Sequence, residues 1–314
     1  MRAVVIKGFG AEPELVEIPV PEPEPGELLI RIHAAGLNPF DWKVADGALD
    51  GMVEHAFPFV MGSDGAGVVT AVGSDVTDFH PGDRVYGQFM GLPRGQGSFA
   101  EYVVVAETGK VARIPDGVPF TVAAALPTAS ITAYQAVQAA ALAPGHTILV
   151  NGASGGVGQS AVQFAAGGGA RVLATAPGHL AEHLRDLGAD HIVDFTVAPT
   201  LDQVRAAHPD GIDAVLDLIT GPGGANPFAA LLRPGGVLVS TNGAAEPERL
   251  ASLALTGVNL YNNATRQDLE ALAVLADQGQ VRVRIDAEVP LAEVPNAVAR
   301  ARTSQATGKT IIVP

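Results

Sequence analysis

The residues with the plainest chemical promise lie in the run HTILVNGASGGVGQSAVQFA, where 146–150 read as a buried strand and 157–166 as a helix, with a glycine-rich turn between. Set against G-x-G-x-x-G, the run aligns Ala153, Gly155 and Gly158, with alanine at the first glycine. In that setting Gly155 lets a pyrophosphate approach the backbone and Gly158 lets the helix pack close to the strand. Ser154, Gly156 and Val157 complete a turn whose N–H groups lie at the positive end of the helix dipole. A tight turn without a ligand would use the same glycines, but the strand–turn–helix setting favours nucleotide binding.

The next strand, 171–175, ends in Thr175 and the neutral turn Ala176, Pro177, Gly178. An NAD enzyme places a carboxylate there to bind the ribose hydroxyls, and that charge would repel a 2′-phosphate. With no acid at that position, and with His179 and Arg185 following, the sequence favours NADPH. His179 could equally be a helix-start residue and Arg185 a solvated helix charge. Farther on, 217–224 (DLITGPGG, led by Asp217) and 240–243 (STNG, with Asn242 and Gly243) follow strand ends on the side where such sheets bind ligands. They are candidate walls of the cofactor site, or ordinary turns.

The elements that must position these residues fall into two textures. Through residue 120, short β-patterned runs (3–6, 28–34, 65–72, 84–86, 100–105) separated by Gly and Pro predict a mostly antiparallel β domain. From Thr121 an alanine-rich helical stretch leads into strands at 146–150, 171–175, 191–193, 214–217, 237–241 and 258–261, with helices at 157–166, 180–187 and 227–232. That alternation predicts an α/β, doubly wound parallel sheet. From Arg266 the order helix, strand, helix, strand is too short for a domain and returns to complete the first one. The expected division is therefore 1–120 with 266–314, and 121–265.

Composition narrows the function classes. The chain has 314 residues, 47% of them hydrophobic, enough to bury about two cores. A net charge of −14 without a basic run gives no electrostatic footprint for nucleic acid or anionic membrane. With no cysteine, disulfides, thiolate ligands and a cysteine nucleophile are excluded. The N-terminus lacks a signal-peptide profile and no apolar run spans a bilayer, so a cytoplasmic location is expected.

The order of a β domain, a nucleotide domain and a returning tail, together with GSDGAGVVTAVG, HPGDRVYG, NGASGGVG and the terminal GKTIIV, resembles the medium-chain dehydrogenase/reductase superfamily over essentially the whole chain. Within it the chain looks like the zinc-free quinone oxidoreductases and enone or alkenal reductases. The resemblance implies a GroES-like first domain, a Rossmann domain, and a homodimer formed through the strand at 258–261. Zinc-dependent members hold a catalytic metal at positions that fall here on Asn38, Ser63 and Thr128. None of these is a good zinc ligand, so no metal is expected. The resemblance then implies hydride transfer from NADPH to an enone or quinone. The alternatives are a non-catalytic NADPH-binding redox sensor, which needs the glycine turn alone, and a zinc alcohol dehydrogenase.

Hydride arriving at an enone or quinone builds negative charge on the carbonyl oxygen, and the site must supply a donor or cation there. Lys43, one of only four lysines, follows Asn38 by five residues in the loop that lines the family's catalytic site, where relatives carry His, Tyr or Lys. It is the first candidate, against a plain solvated lysine. Asn38 could donate to substrate or fix the loop, and Asp41 could orient Lys43. Either could instead close a turn around Pro39. Thr132 matches a family threonine near the nicotinamide carboxamide, or else bonds its own helix backbone. Trp42 and Tyr86 could shape a pocket but suit a core, and His33 and His55 read as structural.

Overall fold

The computed structural model describes residues 1–303 and 307–314. The chain opens with β1 (Arg2–Ile6), β2 (Glu14–Glu17), β3 (Glu27–Gly36), α1 (Pro39–Ala45), β4 (Phe59–Val60) and β5 (Asp64–Val72). Next come β6 (Arg84–Gln88), β7 (Tyr102–Ala106), β8 (Val111–Arg113), α2 (Phe120–Ala125) and α3 (Pro127–Ala139). Then follow β9 (Thr147–Asn151), α4 (Gly156–Gly167), β10 (Arg171–Thr175), α5 (Ala181–Asp186), β11 (His191–Val193) and α6 (Thr200–Ala207). After them stand β12 (Ile212–Asp217), β13 (Leu232–Ser240), α7 (Pro247–Ser252) and β14 (Thr256–Asn259). The tail is α8 (Arg266–Asp277), β15 (Ile285–Pro290), α9 (Val294–Ala301) and β16 (Lys309–Val313). No helix among the described residues is long and apolar enough to cross a membrane.

Two compact units result, Met1–Ala129 with Ala264–Pro314, and Ser130–Asn263. The change of texture at Thr121 is not where they part. α2 packs on β3 and β5 and so stays with the first unit. The alanine-rich stretch is two helices, because Pro127 lacks the N–H that would continue α2 and instead starts α3.

The first unit is the mostly β, GroES-like one. A small sheet has the order β2-β1-β4, and a seven-stranded sheet runs β15-β16-β3-β5-β6-β8, with β7 also on β3. β3 organises the second sheet. β5 pairs along its whole length, while its other edge is divided, with β7 against Glu27–Arg31 and β16 against Ala35 and Gly36. Leu28, Ile30, Ile32, Phe59, Phe99 and Ile312 meet in the core beneath. Tyr86 belongs to that interior: its hydroxyl donates to the Leu269 carbonyl at 2.5 Å and ties α8 to β6. Trp42 packs partly buried on the same core.

The second unit is a six-stranded parallel sheet of order β11-β10-β9-β12-β13-β14, the Rossmann order, whose direction of winding reverses between β9 and β12. β9, TILVN, is buried at all five positions, as a central parallel strand covered on both faces must be. Separate apolar clusters cover the two faces, one around Val150, Val172 and Leu216, the other around Leu149, Val215 and Leu238. Three details depart from the pattern. The segment 227–232 is a 3-10 turn leading into β13, α6 was not anticipated, and the last strand is Thr256–Asn259, leaving Tyr261 beyond it and 78% exposed.

Candidate active site

The glycine turn forms where the carboxyl end of β9 meets α4. Asn151 ends the strand, and Gly152 follows with φ of 94°, a conformation that suits glycine. The tight turn is therefore made by Gly152, and the motif is Gly152, Gly155, Gly158, in steps of three. Aligning Ala153 as the first glycine misplaces it: Ala153 is fully buried beneath the turn and has nothing to offer a ligand. Gly158 permits the closest approach. A Cβ there would lie 2.2 Å from the Gly152 oxygen and 2.6 Å from the Ala153 Cα.

Gly155 is different. As N-cap of α4 it has φ of −77°, which any residue adopts, and an added Cβ would meet only the Gly152 oxygen at 3.7 Å. The fold does not need a glycine there, and what its absence would fill is the space in front of the helix N-terminus. Ser154, Gly156 and Val157 are half-buried around it, and the first N–H groups of α4 have no intrahelical acceptor. The open approach to these N–H groups and the positive end of the helix dipole suit an anion such as a dinucleotide's pyrophosphate.

The other nucleotide candidates divide between support and surface. Thr175 is 2% exposed, and its Oγ1 accepts the Gly152 N–H at 2.8 Å, so it braces the turn from beneath. The Asp217 carboxylate accepts from Asn151 Nδ2 (2.9 Å), Asn226 Nδ2 and the N–H groups of Ile219 and Thr220, and it folds the loop after β12 around itself. Asn242 donates through Nδ2 to the Leu218 carbonyl (2.8 Å), joining the loop after β13 to the one after β12, with Gly243 at φ of 78° beyond it. Thr132 Oγ1 accepts from Asn262 Nδ2 at 3.0 Å, so its bonding reaches the segment after β14.

At the end of β10, His179 is exposed in a short 3-10 turn. Arg185 sits in the last turn of α5, carried away from that turn by roughly 1.5 Å per residue of helix, and is not brought beside His179. The position also has a carboxylate after all, delivered by the neighbouring strand. Asp194, just past β11, accepts from Thr196 Oγ1 at 2.6 Å and Thr196 N–H at 2.9 Å. Those bonds, with the Gly178 N–H and the charge of His179, hold its carboxyl below the ordinary value.

The first unit holds the second set of candidates. The segment after β3 is a helix and not a loop: Asn38 is the N-cap of α1, Pro39 opens it, and Asp41 accepts the Asn38 N–H at 2.7 Å. N-P-x-D is a helix-start signature that the sequence displayed. Lys43 is exposed in the last turn, where a cation suits the helix dipole. Asp41 is wholly buried, its second oxygen accepting the Ser63 N–H at 2.9 Å. Both its oxygens accept backbone N–H groups, those of Asn38 and Ser63, and the charge of Lys309 acts on its carboxyl, so it holds the start of α1 in place. His33 stacks on Phe120 with centroids 4.5 Å apart, burial and the charges of Arg31 and Arg84 holding its pKa down, and His55 meets Phe9 edge-on.

Asn38, Ser63 and Thr128 do come together, around two buried charged groups, Asp64 and Lys309. Asp64, fully buried, lies opposite Gly36 in the β3–β5 ladder. Its carboxylate accepts from Asn38 Nδ2 (2.9 Å), Thr128 N–H (2.9 Å) and Thr128 Oγ1 (2.6 Å), with Ser63 Oγ at 3.4 Å. Lys309, the first residue of β16, is 4% exposed and donates from Nζ to the Leu37 carbonyl at 2.8 Å and to Asn38 Oδ1. Burial pushes both carboxyls up, Asp41 to about 8, and the same burial pushes the Lys309 ammonium down.

These residues do not suit a zinc ion. Asn38 has spent its amide on Gly36, Asp64 and Lys309, Thr128 donates to Asp64, and a dication would lie beside a buried ammonium. Among the described residues no group of three or more His, Asp or Glu is arranged to hold a metal.

Comparison with known proteins agrees with this architecture. Residues 24–116 match the alcohol dehydrogenase GroES-like domain, and residues 187–312 match the family described as zinc-binding dehydrogenase. A chloroplastic quinone oxidoreductase of Triphysaria versicolor is 33% identical, covering 100% of this chain and 98% of that one. A chloroplastic NADPH-dependent alkenal/one oxidoreductase of Arabidopsis thaliana is 33% identical, covering 100% and 80%. The structure of a quinone oxidoreductase from Coxiella burnetii superposes with a TM-score of 0.86 at 28% identity, covering 100% and 99%. The chain belongs to the medium-chain dehydrogenase/reductase superfamily, in its quinone oxidoreductase and enone reductase branch. It is accordingly an oxidoreductase of the nicotinamide-dependent kind acting on a small molecule.

Proposed function

We propose that the chain is an NADPH-dependent, zinc-independent reductase of α,β-unsaturated carbonyl compounds or quinones. The observation that carries the reading is the polar cluster of Asn38, Asp64, Thr128 and Lys309, in which Asn38 and Thr128, two of the positions where the resemblance puts metal ligands, bond instead to a buried carboxylate and a buried ammonium. Without a Lewis acid, alcohol oxidation loses its main catalyst. An enone β-carbon or a quinone is electrophilic already. The two relatives named above, a quinone oxidoreductase and an NADPH-dependent alkenal/one oxidoreductase, have the matching chemistry.

In this reading Gly155, Gly156 and Val157 hold the pyrophosphate on α4, braced by Gly152, Gly158 and Thr175, with Asn242, Gly243 and the loop beyond Asp217 as neighbouring walls. Thr132 serves the carboxamide side. The bound cofactor supplies the hydride. Lys43 stabilises the charge that develops on the carbonyl oxygen, and Asn38 and Asp41 hold the helix that carries it. The preference for NADPH rests on the neutral end of β10 and on His179, with Asp194 committed to Thr196 and Gly178.

Turnover of enones, alkenals and quinones, followed by NADPH oxidation, tests the reading. Tight binding of NADPH without turnover of any panel member would support a redox sensor instead. A homodimer through the free edge of β14 and a cytoplasmic location belong to the same proposal. Light scattering and cell fractionation test them.

A further inference from the structure

Lys309 stands far from every residue that sequence spacing connects with the site, and the topology explains how it reaches one. β16 runs antiparallel to the end of β3, with Ile311 opposite Gly36 and Ile312 opposite Ala35. Continuing that register sets Lys309 opposite Asn38, and the Leu37 N–H indeed donates to the Thr310 carbonyl at 3.0 Å. The last strand therefore ends its pairing at the point where the chain leaves β3 and enters α1.

The ammonium is buried, and a buried ammonium must be fully bonded to be tolerated. Its bonds to the Leu37 carbonyl and to Asn38 Oδ1 seize the backbone just before α1 and the N-cap residue itself. Asn38 passes the constraint on, with Nδ2 bonded to the Gly36 carbonyl (3.2 Å) and Asp64, and its N–H bonded to Asp41. Asp41 in turn grips the Ser63 N–H. Each of these bonds fixes the starting point and direction of a helix of seven residues, too short to be stable by itself.

We propose that Lys309 is a positioning residue for catalysis, its ammonium serving as a built-in cation that locks the N-terminus of α1 and thereby fixes where Lys43 and Trp42 are presented. The proposal rests on the reading of α1 as the substrate-side element. It assigns a function to the returning tail that goes beyond completing the sheet, since the strand brings the charge that the cluster closes upon.

The test compares Lys309→Met and Lys309→Arg with the wild-type chain, measuring kcat, the KM for NADPH, and amide hydrogen exchange. Lys309→Met should lower kcat at least tenfold while KM for NADPH changes less than about twofold, because the proposed nucleotide site lies within Ser130–Asn263 and Lys309 does not. Lys309→Arg should recover kcat to within about threefold of wild type. Exchange at residues 37–47 should rise at least tenfold in the Met variant, against less than twofold in β5 and β6.

Should Lys309→Met fail to fold, the pair Lys309→Met with Asp64→Asn removes one charge of each sign and should show the same loss of kcat and the same local exchange. Unchanged kcat, an arginine variant as slow as the methionine one, or exchange raised uniformly across the first unit would each overturn the proposal. If the wild-type chain reduces no enone or quinone, the functional reading fails by itself, and the exchange measurement still decides whether Lys309 locks α1.

Discussion

Gly155→Ala separates what the fold requires from what a ligand requires. The added methyl would meet a single protein atom, the Gly152 oxygen at 3.7 Å, an ordinary contact, and φ of −77° suits alanine. The folded chain should therefore change little, because the reduced freedom of the unfolded chain contributes about 0.4–1 kcal/mol and the poorer capping of α4 by alanine offsets an amount of about that size. For a bound dinucleotide the same methyl stands in the approach to the N–H groups of α4. Overfilling a packed contact costs about 1–3 kcal/mol, which at about 1.4 kcal/mol per decade weakens binding roughly 5- to 150-fold. Calorimetric titration of NADPH, with a denaturation curve on the same sample, measures both quantities. Gly158→Ala is the contrast, since its methyl would press on backbone at 2.2 Å and 2.6 Å and should damage stability as well as binding. If Gly155→Ala binds NADPH as tightly as the wild-type chain, the pyrophosphate does not lie on this turn and the argument from open space is wrong.

Lys43→Ala should lower turnover at least tenfold with little change in NADPH affinity, and steady-state kinetics on the best enone or quinone of the panel checks it. Thr175→Val removes the acceptor of the Gly152 N–H and should cost about 1–3 kcal/mol of stability, visible in urea unfolding, together with weaker NADPH binding. Asp46 at the end of α1 is held below the ordinary carboxylate value, chiefly by its hydrogen bond from Arg302. Its stabilisation is therefore present above the unfolded value, about 3.9, and fades as pH falls through the lower folded value. With side chains 45% and 44% exposed, the pair is worth at most about 1 kcal/mol, so Asp46→Asn should be slightly less stable at pH 7, and the difference should disappear only once the pH lies below the folded value. Asp194→Asn should raise the ratio of kcat/KM for NADPH over NADH, because it removes a carboxylate beside the end of β10; an unchanged ratio would place the 2′-phosphate elsewhere.

Much of the fold was legible because its signals are local. The uninterrupted apolar strands, the glycine-rich turn between strand and helix, and the helix–strand order of the tail are each visible within a short window. What local patterns could not show is pairing across the chain. Lys309 and Asn38 are 271 positions apart and meet only through the register of β16 on β3. Asp64 joins them through the β3–β5 ladder, and Asp194 reaches the end of β10 from β11. Two features were visible and misassigned. The capping signature of Asn38, Pro39 and Asp41 announced α1, and Gly152 followed the strand directly, yet fitting the spacing to G-x-G-x-x-G drew attention to Ala153. The candidate residues changed meaning accordingly: Asp41, Thr175 and Asp217 are buried and hold the elements in place from within, whereas Lys43 and His179 lie on the surface.

The central claim is hydride transfer from NADPH without a metal, and the most direct measurement is NADPH oxidation by the purified chain with an enone or quinone, before and after exhaustive chelation. The account predicts turnover that chelation leaves unchanged and that exceeds turnover with NADH. Loss of activity on chelation with recovery on adding zinc, or no turnover with any acceptor, would contradict it.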